Sequence, residues 1–272
     1  MKTMWKGAIS FGLVSIPVRV FPATEEKTLR FNQLHDKDHG RIRYKRTCAK
    51  DGEEVSFENI VRGYEYEKDR YVILTDEELD SVPVESSRAI DITQFVEAEE
   101  IDPIYYKKTY YLAPEETGVK AYHLLREALS QDGRVGIAKV SFRDKEHLAA
   151  LRLRDDLLVL ETMYWPDEIR AAAFEELEKD VKARPQEVEM ARSLIDNLTD
   201  SWKPEAYTDE YRAALLEIVE KKVAGEEIEV IEAPEPEKVV DLMEALKQSV
   251  QATKKKEKKP AKRAPARKKA AS

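Results

Sequence analysis

The dominant period of the hydrophobic pattern changes from that of strands to that of helices near residue 185, and this change constrains the fold more than any other feature. In residues 8–21 apolar side chains alternate with polar or small ones, which predicts a strand bent at Gly12 and Pro17. Further strand patterns follow at residues 70–74, 89–96, 104–112, 134–142 and 148–165. The first runs into the capping-box pattern TDEE, residues 75–78, which predicts a short helix, and the last predicts a hairpin turning at Asp155-Asp156. From about residue 185 the period becomes helical. The sequence therefore predicts a mainly β fold with α, in which a barrel or sandwich precedes a helical region.

Three longer helices are predicted between residues 119 and 225. Residues 119–130 predict an amphipathic helix, and its expected buried face is Ala121, Leu124, Leu125, Ala128 and Leu129. A second helix is expected to start at Pro185, with an apolar stripe of Val188, Ala191, Ile195, Leu198 and Trp202. A third is expected to start at Thr208 and to end at a Gly225 cap, before an acidic, proline-containing linker at residues 226–236.

Charge is distributed unevenly along the 272 residues. The formal net charge is -8, but residues 1–50 carry 11 basic and 4 acidic residues, and residues 251–272 carry 10 basic and one acidic residue. The part between them therefore carries a net charge of -24. Two basic zones at the ends of an acidic body predict a polyanionic partner.

The strip RIRYKR, residues 41–46, is the most regular part of the first basic zone. In an extended chain Arg41, Arg43 and Lys45 project to one side roughly 7 Å apart, a spacing close to that of phosphates along a nucleic-acid strand. Ile42 and Tyr44 are then expected to hold the strand to its neighbours. A solvated edge strand, protected from aggregation by its cations, is the alternative interpretation.

Two further candidates lie near the C-terminal end. Residues 253–272 form a basic tail, predicted to be disordered, that attracts polyanions; a solubilising or targeting role is the alternative. Residues 237–250 predict a short amphipathic helix that either packs on the core or docks in the groove of a partner. Its apolar side is Val239, Leu242, Met243, Leu246 and Val250.

Motifs for catalysis or metal binding are weak, and no catalytic residue, metal or cofactor is predicted. HDKDHG at residues 35–40 resembles a metal loop, but a polar turn ending in glycine explains it better. Cys48, the one cysteine, has Asp51 at the spacing where a zinc knuckle needs a second cysteine. A single cysteine, no secretory signal pattern and no apolar run of about 18 residues predict a cytoplasmic protein.

Several segments together resemble the bacterial Ku proteins of non-homologous end joining. The resemblance runs in order over roughly residues 1–250, and it is carried by MWKGAISFGLVSIPVRVF, HDKDHGRIRYKR, EIDPIYYKKTYYLAP, AYHLLREAL, YWPDEIR and DEYRAALLEIVEKK. It implies a Ku-type β-barrel core with an extended bridge that encircles DNA and a helical C-terminal dimerisation arm. The implied protein is a non-catalytic homodimeric ring that binds double-strand DNA ends, is associated with the nucleoid and recruits the ATP-dependent DNA ligase D.

The resemblance also implies domain boundaries and site residues. The core is expected at residues 1–180, with the bridge at about 24–65, the arm at 181–225, the linker at 226–236, the partner-binding helix at 237–252 and the tail at 253–272. The implied DNA contacts are Lys27, Arg30, Lys37, Arg41, Arg43, Lys45 and Arg46, with Lys254, Lys255, Lys256, Lys258 and Lys259 in the tail. The implied ligase contacts are the five apolar residues of the 237–250 helix. Some members carry a Cys-x-x-Cys pair in the bridge, and the single Cys48 does not support a zinc site here.

Two rival functions remain to be compared with this expectation. One is a general nucleic-acid binder that works mainly through its tail. The other is an enzyme acting on DNA ends, such as a metal nuclease using Asp36 and His39. Lyase chemistry by a lysine at damaged ends is a weaker possibility, for which the sequence singles out no residue.

Overall fold

The computed structural model describes residues 1–81, 88–142, 145–174 and 182–225. These residues fall into two compact units, the first spanning Met1–Ala172 and the second beginning at Ala173. The described strands all lie in the first unit and are β1 (Trp5–Phe11), β2 (Val14–Pro22), β3 (Arg62–Glu67), β4 (Arg70–Leu74), β5 (Ala89–Glu97), β6 (Tyr106–Pro114), β7 (Arg134–Phe142), β8 (Lys145–Arg154) and β9 (Leu157–Met163). The described α-helices are α1 (Asp76–Asp80), α2 (Val119–Asp132), α3 (Pro185–Leu198) and α4 (Glu210–Ala224).

Seven strands close into a barrel in the order β1-β2-β6-β9-β8-β7-β5. Neighbouring strands are antiparallel except β1 and β5, which run parallel and pair only from Ala8 with Ala89 to Ser10 with Asp91. Closure leaves no unpaired sheet edge between the first and last strands of the barrel. The prediction of a mainly β fold with α, built on a barrel, is confirmed.

The first predicted strand is in fact a hairpin. β1 and β2 pair from Trp5 with Val20 to Phe11 with Val14, so the chain reverses at Gly12, whose φ is +57°. Glycine adopts this left-handed conformation without the steric cost that a side chain brings. Alternation along β2 places Ile16, Val18 and Val20 fully inside the barrel.

Helix α2 has the predicted position but a different buried face. Tyr122, Leu125 and Leu129 are buried in the core cluster of the barrel, whereas Leu124 is 73% exposed. The Tyr122 hydroxyl donates to the Leu112 carbonyl at 2.8 Å and accepts from the Leu158 amide at 2.9 Å. The backbone pairing of β6 with β9 ends at Tyr111 and Val159. The buried Tyr122 oxygen links the two strands just beyond that end. Burial raises the pKa of Tyr122.

Local signals elsewhere are confirmed. Thr75 caps α1 in a reciprocal capping box with Glu78, and β8 turns into β9 at Asp155, whose φ is +52°. Pro185 is the first residue of α3, and Gly225 caps α4. Helix α4 begins two residues later than predicted because Asp209, not Thr208, provides the cap. None of the helices in the described ranges is long and apolar enough to cross a membrane.

Candidate nucleic-acid interface

The strip at residues 41–46 lies between two reverse turns. The first turn brings Leu34 opposite Arg41, and the His35 amide donates to the Gly40 carbonyl at 2.9 Å. The Ile42 amide donates to Gln33 at 3.0 Å across the same turn. These bonds attach the start of the strip to the chain that precedes it.

The second turn holds the other end of the strip. Thr47 lies opposite Glu54, and the Val55 amide donates to the Arg46 carbonyl at 2.8 Å. Gly52 has a φ of +77°, which a glycine adopts at low cost. The strip is therefore the common arm of two turns, held by main-chain bonds at each end rather than by a continuous sheet.

The expected role of Ile42 and Tyr44 is only partly met. The Tyr44 hydroxyl donates to the Gln33 side chain, but the Tyr44 residue is 80% exposed. Ile42 is 44% exposed. The two residues therefore hold the strip through the Tyr44 hydroxyl and the Ile42 main chain, and not by burial of their side chains.

All seven predicted bridge cations are exposed, but their surroundings differ. Arg41 donates from Nη2 to the Asn32 side-chain oxygen at 2.6 Å, and this neutral partner leaves its charge intact. Lys45 pairs with Glu54 at 2.6 Å. Within the described residues Arg43 has no hydrogen bond or ion pair.

Arg46 lies over an aromatic ring. Its guanidinium carbon lies 5.5 Å from the centre of the Phe57 ring. Of the other three predicted cations, Lys27 lies 3.9 Å from Glu25, and Arg30 and Lys37 have no ion pair among the described residues. The structure does not test whether these residues contact nucleic acid, so their assignment stays a prediction.

Residues 35–40 form the polar turn that the sequence favoured over a metal loop. The Gly40 amide donates to the Asp38 carboxylate at 2.9 Å, and His39 adopts a φ of +55°. In the second turn the Glu53 amide and the Cys48 thiol hydrogen-bond to Asp51 and hold the pKa of its carboxyl below the usual value. Among the described residues no three histidine, cysteine or acidic side chains are grouped to hold a metal ion.

The second unit exposes large apolar side chains along α3 and α4, the two helices of its described residues. On α3, Ile195 and Leu198 are 63% and 65% exposed, and on α4 Tyr211 is 77% exposed. Trp202, expected to extend the α3 stripe, lies beyond the end of that helix and stacks against Tyr207 with ring centres 5.0 Å apart. These exposed apolar side chains lie in the region where the sequence predicted a dimerisation arm.

Some predicted site residues lie outside the described residues. They are Lys254, Lys255, Lys256, Lys258 and Lys259 of the tail and Val239, Leu242, Met243, Leu246 and Val250 of the partner-binding helix. The linker at residues 226–236 also lies outside them.

Sequence reasoning missed four residues that contact the strip. Asn32, Gln33, Glu54 and Phe57 lie across the two turns from their partners, so no local periodicity indicates them. The Asp51-Gly52 dipeptide was the available signal, because this pair is typical of tight turns. Recognising that turn from the sequence predicts that residues 46–47 and 54–55 pair.

The comparisons with known proteins agree with this architecture. Residues 10–190 match the family described as the Ku70/Ku80 beta-barrel domain. The chain is 52% identical over 254 residues to the non-homologous end joining protein Ku of Desulfitobacterium hafniense. This match covers 93% of the chain and 88% of the relative. It is 44% identical over 257 residues to the protein of the same name from Bacillus subtilis, with 93% and 83% covered. For the relative from Frankia casuarinae, at 49% identity, 93% of this chain matches 64% of the relative.

The closed barrel and the family match define a protein of the Ku β-barrel class. By its identity to these relatives the chain belongs to the bacterial non-homologous end joining Ku family. The recognition made from the sequence segments is thereby confirmed.

Proposed function

We propose that this protein binds double-strand DNA ends without sequence preference, as a homodimeric ring, and recruits an ATP-dependent DNA ligase D to them. In this role it protects ends during repair by non-homologous end joining and does no chemistry itself. The domain boundaries expected from the sequence are part of the proposal. So are its cytoplasmic, nucleoid-associated location and the bridge and tail cations.

The exposed strip is the observation that carries the proposal. Arg41, Arg43 and Arg46 are exposed on an arm held by two turns, and none of them forms an ion pair with a described carboxylate. Such groups suit the phosphate backbone, which carries one negative charge for about every 1.7 Å of duplex. Contacts to phosphates set the position and affinity of a protein but read no bases. Binding through this strip is therefore independent of sequence.

The exposed apolar helices support the homodimer. Side chains such as Leu198 and Tyr211 are exposed within the described residues, and burying them against a second copy removes their apolar surface from water. A closed homodimer is the commonest arrangement of soluble oligomers. A ring formed in this way admits linear DNA only at an end, so its topology provides the specificity for ends that phosphate contacts lack.

The ligase contact rests on the sequence pattern and on family membership. Residues 237–250 present their apolar side chains on one helical face after an acidic linker, a pattern that suits docking in a partner's groove. Tethering the ligase in this way raises its effective concentration at the DNA end.

The central experiment compares linear and closed DNA. We expect tight binding to a linear duplex and little binding to a covalently closed circle of the same sequence. The subunit stoichiometry is measured on the same complex, with two subunits for each occupied end as the expected value. Equal affinity for the two DNA forms contradicts the ring. Deleting residues 253–272 separates the ring from the tail, because complete loss of binding favours the general binder.

A charge test examines the strip directly. Changing Arg41, Arg43 and Lys45 together to alanine should weaken DNA binding and reduce the slope of log affinity against log salt by about 0.9 for each lost phosphate contact. Unchanged binding contradicts their role. A charge-matched control changes three exposed cations that lie outside both the bridge and the arm, Lys2, Lys120 and Lys145.

Two further variants test the partner and the absence of catalysis. Leu242→Asp with Leu246→Asp should abolish stimulation of the ligase and leave DNA binding intact, whereas loss of both activities places this helix in the core.

Incubating linear DNA with the protein and a divalent metal should leave the ends intact. Degradation that is lost in Asp36→Ala supports the nuclease instead.

A further inference from the structure

We infer that Phe57 is a positioning residue that holds the Arg46 guanidinium ready for a DNA phosphate. This inference rests on the proposed function and adds to it a residue that carries no charge. Phe57 lies 11 positions beyond Arg46 in the sequence and was not among the predicted contacts.

The second of the two turns that hold the strip, between residues 47 and 54, brings Arg46 and Phe57 together. The Val55 amide donates to the Arg46 carbonyl at 2.8 Å, and the Cys48 amide donates to the Glu53 carbonyl at 2.8 Å. Phe57 then begins a single 3-10 turn, Phe57–Asn59, closed by the bond from the Asn59 amide to the Ser56 carbonyl at 3.0 Å. The backbone on both sides of the contact is therefore fixed by main-chain bonds.

The Phe57 ring does not serve a core. It is 74% exposed and belongs to neither of the hydrophobic clusters of the described residues. The guanidinium carbon of Arg46 lies over the ring, 5.5 Å from its centre, within the range of a cation–π interaction. An exposed aromatic ring with this contact stabilises one orientation of a long, flexible side chain.

The cation–π contact leaves the arginine able to bind an anion. A guanidinium carries five N–H donors, and those of Arg46 make no hydrogen bond or ion pair with the described residues. A phosphate can then accept two parallel bonds from a side chain whose freedom is already reduced. Lys45 contrasts with this arrangement, because the Glu54 carboxylate occupies its ammonium group.

The test measures affinity for a short blunt duplex at several salt concentrations. Phe57→Ala should weaken binding about two- to five-fold per site, the range that an exposed cation–π contact supplies. In an Arg46→Ala background the same change should have no further effect, because the residue that it positions is absent. Phe57→Trp should keep the affinity of the native protein, whereas Phe57→Leu, which is apolar but has no ring face, should behave like Phe57→Ala.

Phe31→Ala is the matched control, because Phe31 is a 68% exposed aromatic residue of the bridge, and no cation of the described residues lies over its ring. It should leave the affinity unchanged. Additive effects of Phe57→Ala and Arg46→Ala contradict the inference, and so does full rescue by leucine. If the native protein prefers linear DNA but Arg46→Ala binds normally, the inference fails together with the Arg46 contact, and the binding of DNA ends by the ring stands. If the native protein shows no preference for linear DNA, the proposed function fails first.

Discussion

The ion pair between Lys45 and Glu54 places a carboxylate where a DNA phosphate is expected to bind. The lysine ammonium lies 2.6 Å from the carboxylate, and the two side chains are 73% and 57% exposed. A phosphate can use Lys45 only by displacing Glu54. Glu54→Gln removes this competing charge and keeps the main-chain pairing of residue 54 with Thr47.

The size of the effect follows from the exposure of the pair. Ion pairs between exposed side chains contribute about 0–1 kcal/mol, so releasing Lys45 should strengthen DNA binding by up to about five-fold. If Lys45 then neutralises one more phosphate, the slope of log affinity against log salt should steepen by about 0.9 for each subunit. Both quantities come from one series of binding isotherms on a linear duplex at increasing salt.

A control at a neighbouring acid distinguishes the effect of the Lys45–Glu54 ion pair from the general effect of removing a negative charge. Glu53→Gln removes one negative charge next to Glu54, and Glu53 has no ion pair among the described residues. Glu54→Gln should therefore strengthen binding more than Glu53→Gln, and this difference should vanish when Lys45 is alanine. Weaker binding by Glu54→Gln refutes the argument, because it means that the carboxylate positions Lys45 instead of competing for it.

Three further predictions concern the barrel. Tyr122→Phe should lower the free energy of unfolding by about 2–4 kcal/mol in denaturant titrations, because two buried backbone groups lose their hydrogen-bond partner. Gly118→Ala should lower it by about 1–3 kcal/mol and reduce the melting temperature, since its Cβ meets the Pro17 carbonyl oxygen at 2.7 Å; a melting temperature equal to that of the native protein contradicts this packing. Burial first, and then nearby lysines, lower the pKa of His147 below its ordinary 6.5, so the stability that its neutral form contributes is present above pH 6.5 and is lost as the pH falls through the lowered value. His147→Gln should flatten the dependence of unfolding free energy on pH in that window, and an unchanged dependence contradicts the assignment.

Local patterns predicted the elements of the barrel because each strand or turn depends on residues close in sequence. The hairpin turning at Asp155-Asp156 is an example in the barrel, and the capping box of Thr75 with Glu78 is an example outside it. The parallel pairing of β1 with β5 could not be predicted, since it joins residues about 80 positions apart through only three pairs. The prediction of one bent strand at residues 8–21 was wrong for a related reason. The local pattern predicts a bend at Gly12, whereas the pairing of β1 with β2 makes the chain reverse there.

The face of α2 shows a different limit of sequence reasoning. The pattern of aliphatic residues predicts that Leu124 is buried. In the structure the face of α2 that packs on the barrel carries Tyr122 instead, and Leu124 is exposed. The hydroxyl of a tyrosine is costly to bury unless it finds partners, and here the ends of β6 and β9 provide both a donor and an acceptor. Those partners exist only in the folded barrel, so hydrophobicity alone could not select this face.

The candidate site and the barrel depend on different interactions. Side chains such as Ile16 and Leu160 stabilise the barrel by burial, and they are fully removed from solvent. The strip at residues 41–46 has no such core, since its backbone is held by bonds across two turns and its cations are exposed. Changes at Glu54 or Phe57 should therefore alter DNA binding without lowering barrel stability, and Tyr122→Phe should do the reverse. This separation makes a loss of DNA affinity interpretable as an effect on the interface rather than on folding.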